Sequence, residues 1–400
     1  MDLVSPHPFW LLKNGLLHEY PSQQEDVRCE VLVLGAGISG ALIAHTLVKA
    51  GWNVVVVDKR DVAGGSTSAS TALLQYEIDT HLVDLIRRIG KRDAQRAYRA
   101  CHDSIDAIER LAGEVGAKCA FRRKDSAYLA VKRAEIRLLQ QECAARREAG
   151  IAVDFLDEKE IGARFSFSRP AALISSQAAE LDAHRLTHVL LADAVTRGAR
   201  VFDRTIVTHL EPGPRGVRLK TDTGHLIHAA HVVMATGYES QEFLPQRIVR
   251  LKSTFALASE VVHRFPGWWK QCLVWETARP YLYLRTAAAG RILVGGEDVP
   301  FRNPRERDRL IQSKTKRLVG RFHRLFPEIP LRVDYRWAGT FGETKDSLAY
   351  IGCIRQMPRC HFALGFGGNG ITYSAVAAAI IRETLAGRRH PDAHLFGFDR

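Results

Sequence analysis

Paired cysteines, a secretion leader and long apolar runs are absent from this chain of 400 residues. Its seven cysteines form no C-x-x-C pair and show no metal-ligand spacing, which favours reduced thiols over disulfides or zinc sites. The first residues lack the basic start, apolar run and small-residue cleavage site of a leader. No apolar stretch reaches the roughly 18 residues that a membrane-spanning helix needs. These absences predict a cytoplasmic protein with no transmembrane segment and no metal site.

A charge cluster of one sign is also missing, although the formal net charge is +13. The basic residues are scattered and often lie beside acids, as in KRDAQRAYRACHDSIDAIER, and no nucleic-acid motif accompanies them. We therefore expect no nucleic-acid partner. The charge is interpreted as solubility together with attraction for anionic ligands or acidic partners, and the oligomeric state is left open.

What the chain does contain is a glycine turn near its N-terminus, in a sequence long enough for two domains. EVLVL (30–34) predicts a buried strand, followed by G-x-G-x-x-G at Gly35, Gly37 and Gly40, a helix, and a second buried strand ending at Asp58. In such a βαβ unit the glycines permit a tight turn and the approach of a pyrophosphate to the helix N-terminus. Asp58 can accept hydrogen bonds from ribose hydroxyls, and its charge disfavours a 2′-phosphate. The pattern predicts a dinucleotide without separating FAD from NAD.

Two later stretches favour the longer, flavin-bearing ligand. GGSTSASTALLQ (64–75) carries five hydroxyl residues within six positions, and a plain NAD domain has no need for such a segment after its second strand. VVMATG (232–237) predicts a buried strand that brings Thr236 and Gly237 back to the dinucleotide. The sequence therefore favours FAD over NAD.

A second glycine turn lies close to the C-terminus, in ALGFGGNGITYSAVAAAII (363–381). It has the pattern of a strand end, a glycine turn and a helix of small residues, and a turn of this kind commonly receives an anion. Two such turns at opposite ends of one chain raise the question of which single ligand would contact both.

The order of these motifs, with LDAHRLTHVLLADAVTRGARVF, ATGY, WAGTFGETKDSLAYIG and GFGGNGITYSA, resembles the D-amino-acid oxidase-like family of FAD-dependent oxidoreductases. Within that family it is most similar to the γ-glutamylputrescine oxidase and glycine/sarcosine oxidase-type branches. The resemblance implies a mixed α/β fold, with a discontinuous Rossmann-like FAD-binding domain and an inserted substrate domain of antiparallel sheet plus helices. We place the FAD-binding domain at 1–84, 154–250 and 335–400, and the substrate domain at 85–153 and 251–334.

Local patterns agree with the two inserted segments. Apolar residues recur near helical period over 84–116, which predicts one amphipathic helix. STFALASEVV, CLVWE, YLYLRT and RILVGGED read as neighbouring antiparallel strands.

The resemblance also implies where the cofactor lies. The N-terminal turn holds the pyrophosphate of FAD, the C-terminal turn meets the flavin ring, and the helix beginning near Ile371 directs its positive end at the N1–C2 carbonyl side. No histidine occurs in 64–74 and Cys353 matches no attachment position, so we expect non-covalent FAD. The expected cofactor-binding residues are Gly35, Gly37, Ser39, Gly40, Asp58, Lys59, Ser66, Thr67, Thr71, Ala72, Leu73, Val207, Thr236, Gly237, Gly339, Gly367, Gly368, Asn369, Gly370 and Ile371.

The activity implied by the resemblance is oxidation of a small-molecule amine or amino acid. Flavin N5 takes a hydride from the carbon bearing the nitrogen, giving an imine that water hydrolyses, and the electrons pass to oxygen or to a quinone or protein acceptor. Two alternatives stay open, namely oxidation of a hydroxy acid or alcohol on the same scaffold, and a flavin-binding electron-transfer subunit.

Candidate substrate residues lie on one predicted strand and in two loops. Tyr281, Tyr283 and Arg285 alternate along a strand and share a face, which would make a carboxylate clamp or a solvent-facing stripe. Lys345 is a candidate for oxygen activation or substrate binding, and Gln75 for reaching the substrate cavity.

Overall fold

The computed structural model describes residues 2–116 and 119–400 as a mixed α/β protein built on two sheets. Met1, Ala117 and Lys118, which fall within the predicted segments 1–84 and 85–153, lie outside the described residues.

The strands belong to these two sheets and are named in chain order. They are β1 (Val27–Leu34), β2 (Val54–Val57), β3 (Leu73–Gln75), β4 (Arg122–Leu129), β5 (Asp154–Asp157), β6 (Ala171–Glu180), β7 (Arg200–Phe202), β8 (Val207–Gly213), β9 (Gly216–Thr221), β10 (Leu226–Met234), β11 (Arg250–Ser259), β12 (Leu273–Glu276), β13 (Leu282–Ala287), β14 (Arg291–Pro300), β15 (Val333–Glu343), β16 (Tyr350–Ile354) and β17 (Met357–Leu364).

The α-helices cover the faces of the sheets and connect their strands. They are α1 (Phe9–Asn14), α2 (Ile38–Lys49), α3 (Ser66–Ala69), α4 (Leu82–Ile89), α5 (Lys91–Glu114), α6 (Ile136–Glu148), α7 (Glu158–Gly162), α8 (Ala183–Thr196), α9 (Pro304–Leu325) and α10 (Gly370–Leu385). In the described part of the chain, none of them is both long and apolar enough to cross a membrane.

The first sheet is the Rossmann-like one, and its order is β16-β17-β10-β1-β2-β7. Strand β9 also pairs with β10, and β8 pairs with β9. Strands β17, β10, β1, β2 and β7 are parallel, and β1 is paired on both sides, with β10 and with β2. All four valines of β2 are buried, as expected of a strand covered on both faces. The predicted buried strands after residues 30 and 52 and near 232 are confirmed.

Within the described residues, the second sheet has nine strands in the order β15-β11-β14-β13-β12-β4-β6-β3, with β5 paired to β6. Strands β11, β14, β13 and β12 are consecutive antiparallel neighbours, which confirms the four strands read from the sequence. Helix α9 packs against β11, β14 and β15 and covers one face of this sheet.

The two sheets divide the chain differently from the predicted domain boundaries. Strands β3, β5 and β6 lie within 1–84 and 154–250, yet they pair in the second sheet with one another and with β4. Strand β15 also joins this sheet although most of it falls within 335–400. Apolar alternation shows that a strand is buried but not which sheet it joins. As a division into domains, the boundaries stay a prediction.

The predicted helix over 84–116 is two helices, and that prediction is corrected here. Gly90 has φ +86°, a left-handed conformation that ends α4 before α5 begins at Lys91. The buried face of α5 includes Tyr98, Cys101 and Ile105, as the periodicity predicts.

Helices α2 and α10 lie side by side against the first sheet. Ser39 Oγ and Ser374 Oγ are 2.7 Å apart, which joins the first turns of the two helices. The two glycine turns, about 330 residues apart in sequence, are therefore neighbours in the fold.

Candidate active site

A cavity of about 720 Å³ contains both glycine turns and is the centre of the candidate site. Every predicted cofactor-binding residue except Gly40 lines it, and so do Gln75 and Tyr283. The cavity is wide enough for one extended ligand to contact both turns, which answers the question raised by the sequence.

The first turn approaches its neighbours so closely that side chains are excluded. Gly35 has φ +113°, and an added Cβ would lie 2.4 Å from the carbonyl oxygen of Ala235. A Cβ on Gly40 would lie 1.8 Å from the carbonyl oxygen of Gly35, so Gly40 serves packing of the turn and does not line the cavity. A Cβ on Gly37 would lie 3.1 Å from Thr67 Oγ1 and would occupy cavity space that a ligand needs in order to approach the backbone of the turn.

Asp58 fixes the turn as well as lining the cavity. Its Oδ2 accepts from the backbone N–H of Ala36 at 2.7 Å, and its Oδ1 accepts from that of Arg60 at 2.8 Å. Burial raises the pKa of Asp58 although these bonds lower it. Its contact with ribose hydroxyls stays a prediction.

A charge cluster that sequence reasoning missed adjoins Asp58. Glu239 accepts from Arg60 Nη2 at 2.9 Å and lies 3.0 Å from Lys59 Nζ. Burial opposes ionisation of Glu239, but the contacts with Arg60 and Lys59 lower its pKa to about 2. The predicted cofactor residue Lys59 thus lines the cavity already paired with an acid.

The hydroxyl-rich segment folds into the short helix α3 and the start of β3. Thr67 Oγ1 accepts from the N–H of Ile38 at 2.9 Å, which ties the segment to the first turn of α2. Ser66, Thr71, Ala72 and Leu73 line the cavity beside it.

Residues from three further elements complete the cofactor part of the cavity. Val207 begins β8, Thr236 and Gly237 follow β10, and Gly339 lies in β15. Thr236 Oγ1 and Ser240 Oγ are 2.8 Å apart, and a Cβ on Gly339 would lie 3.3 Å from the Cβ of Ala69.

The second turn is held by hydrogen bonds to the end of β3, to the residues that follow it, and to Tyr238 after β10. Asn369 Nδ2 donates to the carbonyl oxygens of Gln75 at 3.0 Å and of Glu77 at 2.9 Å. The N–H of Gly368 donates to Asp79 Oδ2 at 3.0 Å. Gly367, at φ +55°, accepts from the hydroxyl of Tyr238 at 3.1 Å. The N-terminus of α10 at Gly370 and Ile371 opens into the same cavity.

Aromatic side chains of the second sheet form the end of the cavity next to this turn. Tyr281 and Tyr283 both line it, and Tyr283 lies over Gly295, where a Cβ would be 2.3 Å from the ring. The hydroxyls of Tyr283 and Thr254 are 3.3 Å apart, and burial raises the pKa of Tyr283 to about 12. Gln75 Nε2 donates to Ser126 Oγ at 3.2 Å.

The predicted clamp of tyrosine and arginine is not formed, because Arg285 does not line the cavity. Its guanidinium is buried and donates to the carbonyl oxygens of Thr71 at 2.6 Å and Leu181 at 2.9 Å, and it lies 3.6 Å from Glu180. Burial lowers the pKa of Arg285. Alternation along the strand predicts the face on which Arg285 lies. It does not predict that Thr71, Leu181 and Glu180, which are distant in sequence, bind the guanidinium.

Lys345 is also outside the cavity. It is exposed, and its Nζ donates to the carbonyl oxygen of Arg400 at 2.8 Å. The proposed role in oxygen activation or substrate binding therefore has no support from its position. The roles of Gln75 and Tyr283 stay predictions, now with both residues at the cavity.

Three acids at this end were not singled out from the sequence: Glu77, Asp79 and Asp298. Glu77 Oε2 and Asp298 Oδ1 are buried, with no hydrogen-bond partner in the described part of the chain. Glu77 and Asp79 alternate with apolar residues in YEID (76–79). This pattern could have identified both acids from the sequence, since acids in the pattern of a buried strand are unusual.

Among residues 2–116 and 119–400, no cysteine or histidine lines the cavity. Cys353 lies elsewhere, with its Sγ 3.2 Å from His361 Nδ1. The non-covalent attachment of FAD stays a prediction.

The fold and the cavity together define an oxidoreductase of the dinucleotide-binding class whose ligand contacts two glycine turns. The family described as FAD dependent oxidoreductase (DAO) matches residues 30–384, and the chain belongs to that family. FAD is therefore its cofactor. The close backbone at Gly35 and Gly37 and the hydroxyl groups of Ser66, Thr67 and Thr71, which line the cavity, are suited to binding a dinucleotide.

Comparisons with individual proteins agree with this assignment. A Bacillus subtilis (strain 168) protein named as a Rieske 2Fe-2S iron-sulfur protein is 23% identical, over 98% of this chain and 75% of its own length. Glycine oxidase of the same strain is 24% identical, over 93% and 97% respectively. The crystal structure of glycine oxidase from Geobacillus kaustophilus has a TM-score of 0.75 at 21% identity, over 91% of this chain and 96% of that one. The structural likeness confirms the predicted fold class.

Proposed function

We propose that this protein oxidises the CH–NH bond of a small amine or amino acid, with FAD as the electron acceptor. The observation that carries the proposal is the single cavity that runs from the dinucleotide turn to the aromatic end beside the second turn. The name of glycine oxidase, a relative over nearly the whole chain, supports an amino compound as substrate.

When bound, FAD supplies a two-electron acceptor for the hydride. The substrate nitrogen first loses a proton, its carbon gives up the hydride, and the nitrogen lone pair forms the C=N bond of an imine. Addition of water then releases a carbonyl compound and ammonia or a smaller amine. No general base is required of the protein for this sequence once the amine is neutral.

The protein's own contribution is to position the substrate and favour charge transfer. Tyr281, Tyr283 and Gln75 form the walls against which the substrate lies. The N-terminus of α10 at Gly370 presents backbone N–H groups to the same space, and its dipole favours the negative charge that develops as electrons arrive.

The test is anaerobic mixing of the FAD-loaded protein with separate panels of amines, amino acids and hydroxy acids. Loss of the visible absorption of oxidised flavin with an amine or amino acid is the expected result. Loss only with hydroxy acids would show alcohol oxidation instead, and no loss with any compound would favour an electron-transfer subunit. Peroxide formation after admission of air then separates oxygen from a quinone or protein as acceptor.

A further inference from the structure

The end of the cavity next to the second turn is acidic. Its charged lining residues are Glu77, Asp79 and Asp298, and within the described part of the chain no lysine, arginine or histidine lines this end. The basic lining residues Lys59 and Arg60 lie at the opposite end, beside Asp58, and both contact Glu239.

The three acids are fixed around the same space. Asp79 accepts from the N–H of Gly368 at 3.0 Å and from the hydroxyl of Tyr281 at 3.4 Å. Glu77 lies two residues before Asp79, and its carbonyl oxygen accepts a hydrogen bond from Asn369 Nδ2 at 2.9 Å. Asp298 comes from β14, next to the strand that carries Tyr283.

A bulge in β14 is what turns Asp298 into the cavity. Gly296 has φ +131° and Glu297 has φ +59°, and the register with β11 shifts at this point. Glu297 consequently faces α9, where its carboxylate accepts from Arg321 at 2.8 Å. In an unbulged strand Glu297 would share the cavity face of Gly295, and Asp298 would point away.

Two of these carboxylates are only partly satisfied, since Thr254 hydrogen-bonds Asp298 while Ser126 and Arg146 contact Glu77. Glu77 Oε2 and Asp298 Oδ1 are buried and have no hydrogen-bond partner in the described part of the chain. Arg146 lies 3.6 Å from Glu77, but it also binds Glu142 at 2.8 Å. Burial raises the pKa of Asp298 to about 6. Buried carboxylates of this kind require a cation or a proton.

Among the described residues, no lysine, arginine or histidine lines this end to pair with a ligand carboxylate. The guanidinium of Arg285 is held by backbone carbonyl oxygens, and Lys252 Nζ binds Glu343 at 2.7 Å. Arg279 is exposed and lies 3.3 Å from the centre of the Tyr281 ring, outside the cavity lining. A carboxylate bound here would face three acids.

We propose that the substrate is a cationic amine without a carboxylate on the reacting carbon, and that Asp298, with Asp79 and Glu77, binds its positive charge between Tyr281 and Tyr283. The proposal rests on the proposed function. A diamine meets both demands, because one nitrogen is deprotonated and oxidised as described above while the other stays an ammonium ion against Asp298. The ring of Tyr283 adds cation–π attraction, whereas that of Tyr281 already contacts Arg279.

The first test uses the FAD-loaded wild-type protein at pH 8 under anaerobic conditions. 1,4-Diaminobutane is compared with ornithine, and ethylamine with alanine, so that each pair differs only by a carboxylate. We expect the amine of each pair to reduce the flavin with a dissociation constant at least about tenfold lower, which equals about 1.4 kcal/mol. A lower dissociation constant for ornithine and alanine would overturn the proposal.

The second test reads binding without turnover. Butyltrimethylammonium cannot be oxidised by hydride loss because its nitrogen has no lone pair, and its binding is followed by the change it causes in the flavin spectrum. Asp298→Asn should weaken this binding about tenfold or more. Asp298→Glu should retain part of it, and Asp334→Asn, which removes an acid paired with Arg291 elsewhere in the same sheet, should leave it unchanged.

The outcomes separate this inference from the proposed function. Reduction by amino acids but not by amines, or unaltered binding of the quaternary ammonium ion by Asp298→Asn, would refute the cation site while amine-bond oxidation stands. Absence of reduction by any amine or amino acid would refute the proposed function and the substrate assignment together. If Asp298→Asn does not fold, the paired comparison on the wild-type protein still decides.

Discussion

Gly40 and Gly35 show at the scale of single residues why the first turn tolerates no substitution. The site for a Cβ on Gly40 lies 1.8 Å from the carbonyl oxygen of Gly35. Gly35 is itself fixed, because its N–H donates to the carbonyl oxygen of Val57 at 2.8 Å. The obstacle is backbone, so no side-chain rotation relieves it. The geometry of the turn therefore depends on the absence of one methyl group.

Gly40→Ala should lower the free energy of unfolding by at least about 2 kcal/mol and reduce the FAD content. Thermal melting and the ratio of flavin to protein absorbance measure the two effects. Gly113→Ala is the control, since among the described residues no atom outside its own helix backbone lies within 4 Å of its Cβ site, and it should be neutral or stabilising. An unchanged flavin ratio in Gly40→Ala would contradict this account of the turn.

Arg285 is a residue whose role is structural. Arg285→Met removes the partner of buried Glu180 and leaves the carbonyl oxygens of Thr71 and Leu181 without their donor. We expect a loss of about 3–5 kcal/mol in the free energy of unfolding. Arg336→Met, at an exposed position on β15, should change it by less than about 0.5 kcal/mol.

Stability and substrate affinity must both be measured for Arg285→Met. If Arg285→Met is as stable as the wild type and binds only amino acids more weakly, that result would support a carboxylate clamp that includes Arg285 and would contradict this account.

Asp298 makes cation binding depend on pH. Burial raises its pKa to about 6, above the ordinary value of about 3.9, so the carboxyl group is protonated and neutral at pH 5 and ionised at pH 8. A hydrogen bond from Thr254 and the charge of Lys252 lower this pKa, and the charges of Asp79 and Glu343 raise it. Because only the ionised form attracts a cation, the affinity for butyltrimethylammonium should increase as pH rises through about 6 and then level off.

This pH profile is measured by spectral titration between pH 5 and pH 8, where the quaternary ammonium ion does not itself titrate. Asp298→Asn should abolish the rise. A profile that is the same in wild type and variant would assign the dependence to another group.

Helix and strand boundaries show what a pattern of apolar residues can and cannot predict. The βαβ unit around Gly35 and the antiparallel strands β11 to β14 were readable because period and turn residues define them locally. The end of α4 at Gly90, after Arg87 and Arg88, has a local signal that the apolar period alone does not show. The membership of β3, β5 and β6 in the second sheet depends on tertiary partners, which one sequence does not display.

The contrast between local signals and tertiary partners also explains which residues of the candidate site could be predicted from the sequence. A glycine turn leaves a local signature in the sequence, and all but one of the predicted cofactor residues line the cavity, where their contacts with FAD stay a prediction. Tyr283 and Arg285 share a strand face, yet only Tyr283 reaches the cavity, because Leu181 and Thr71 hold the arginine. Asp298 depends on a bulge whose position is not evident from alternation.

Gly90→Ala tests the break between α4 and α5. The φ of +86° is unfavourable for alanine although the space is open, so the free energy of unfolding should fall by about 1–2 kcal/mol. Gly320→Ala within α9 has open space and no positive φ, and it should raise stability by about 0.5–1 kcal/mol. Thermal melting of both variants checks the prediction, and equal stabilisation of both would contradict it.

For the whole molecule, the cavity is built by both sheets. Strands β1 and β10 bring the first turn and Thr236, and β3, β13 and β14 bring the opposite end. A ligand that contacts both ends binds only the folded arrangement, and such a ligand stabilises it by about 4 kcal/mol when present at a thousandfold excess over its dissociation constant. Removal of FAD should therefore lower the melting temperature, and FAD added back should restore it.

The most direct test of the central claim, that both glycine turns hold one FAD molecule, is the flavin content of the purified protein. Acid precipitation should release one FAD per chain into the supernatant, and Gly40→Ala should contain much less. A colourless protein that takes up no FAD when it is supplied would contradict the account.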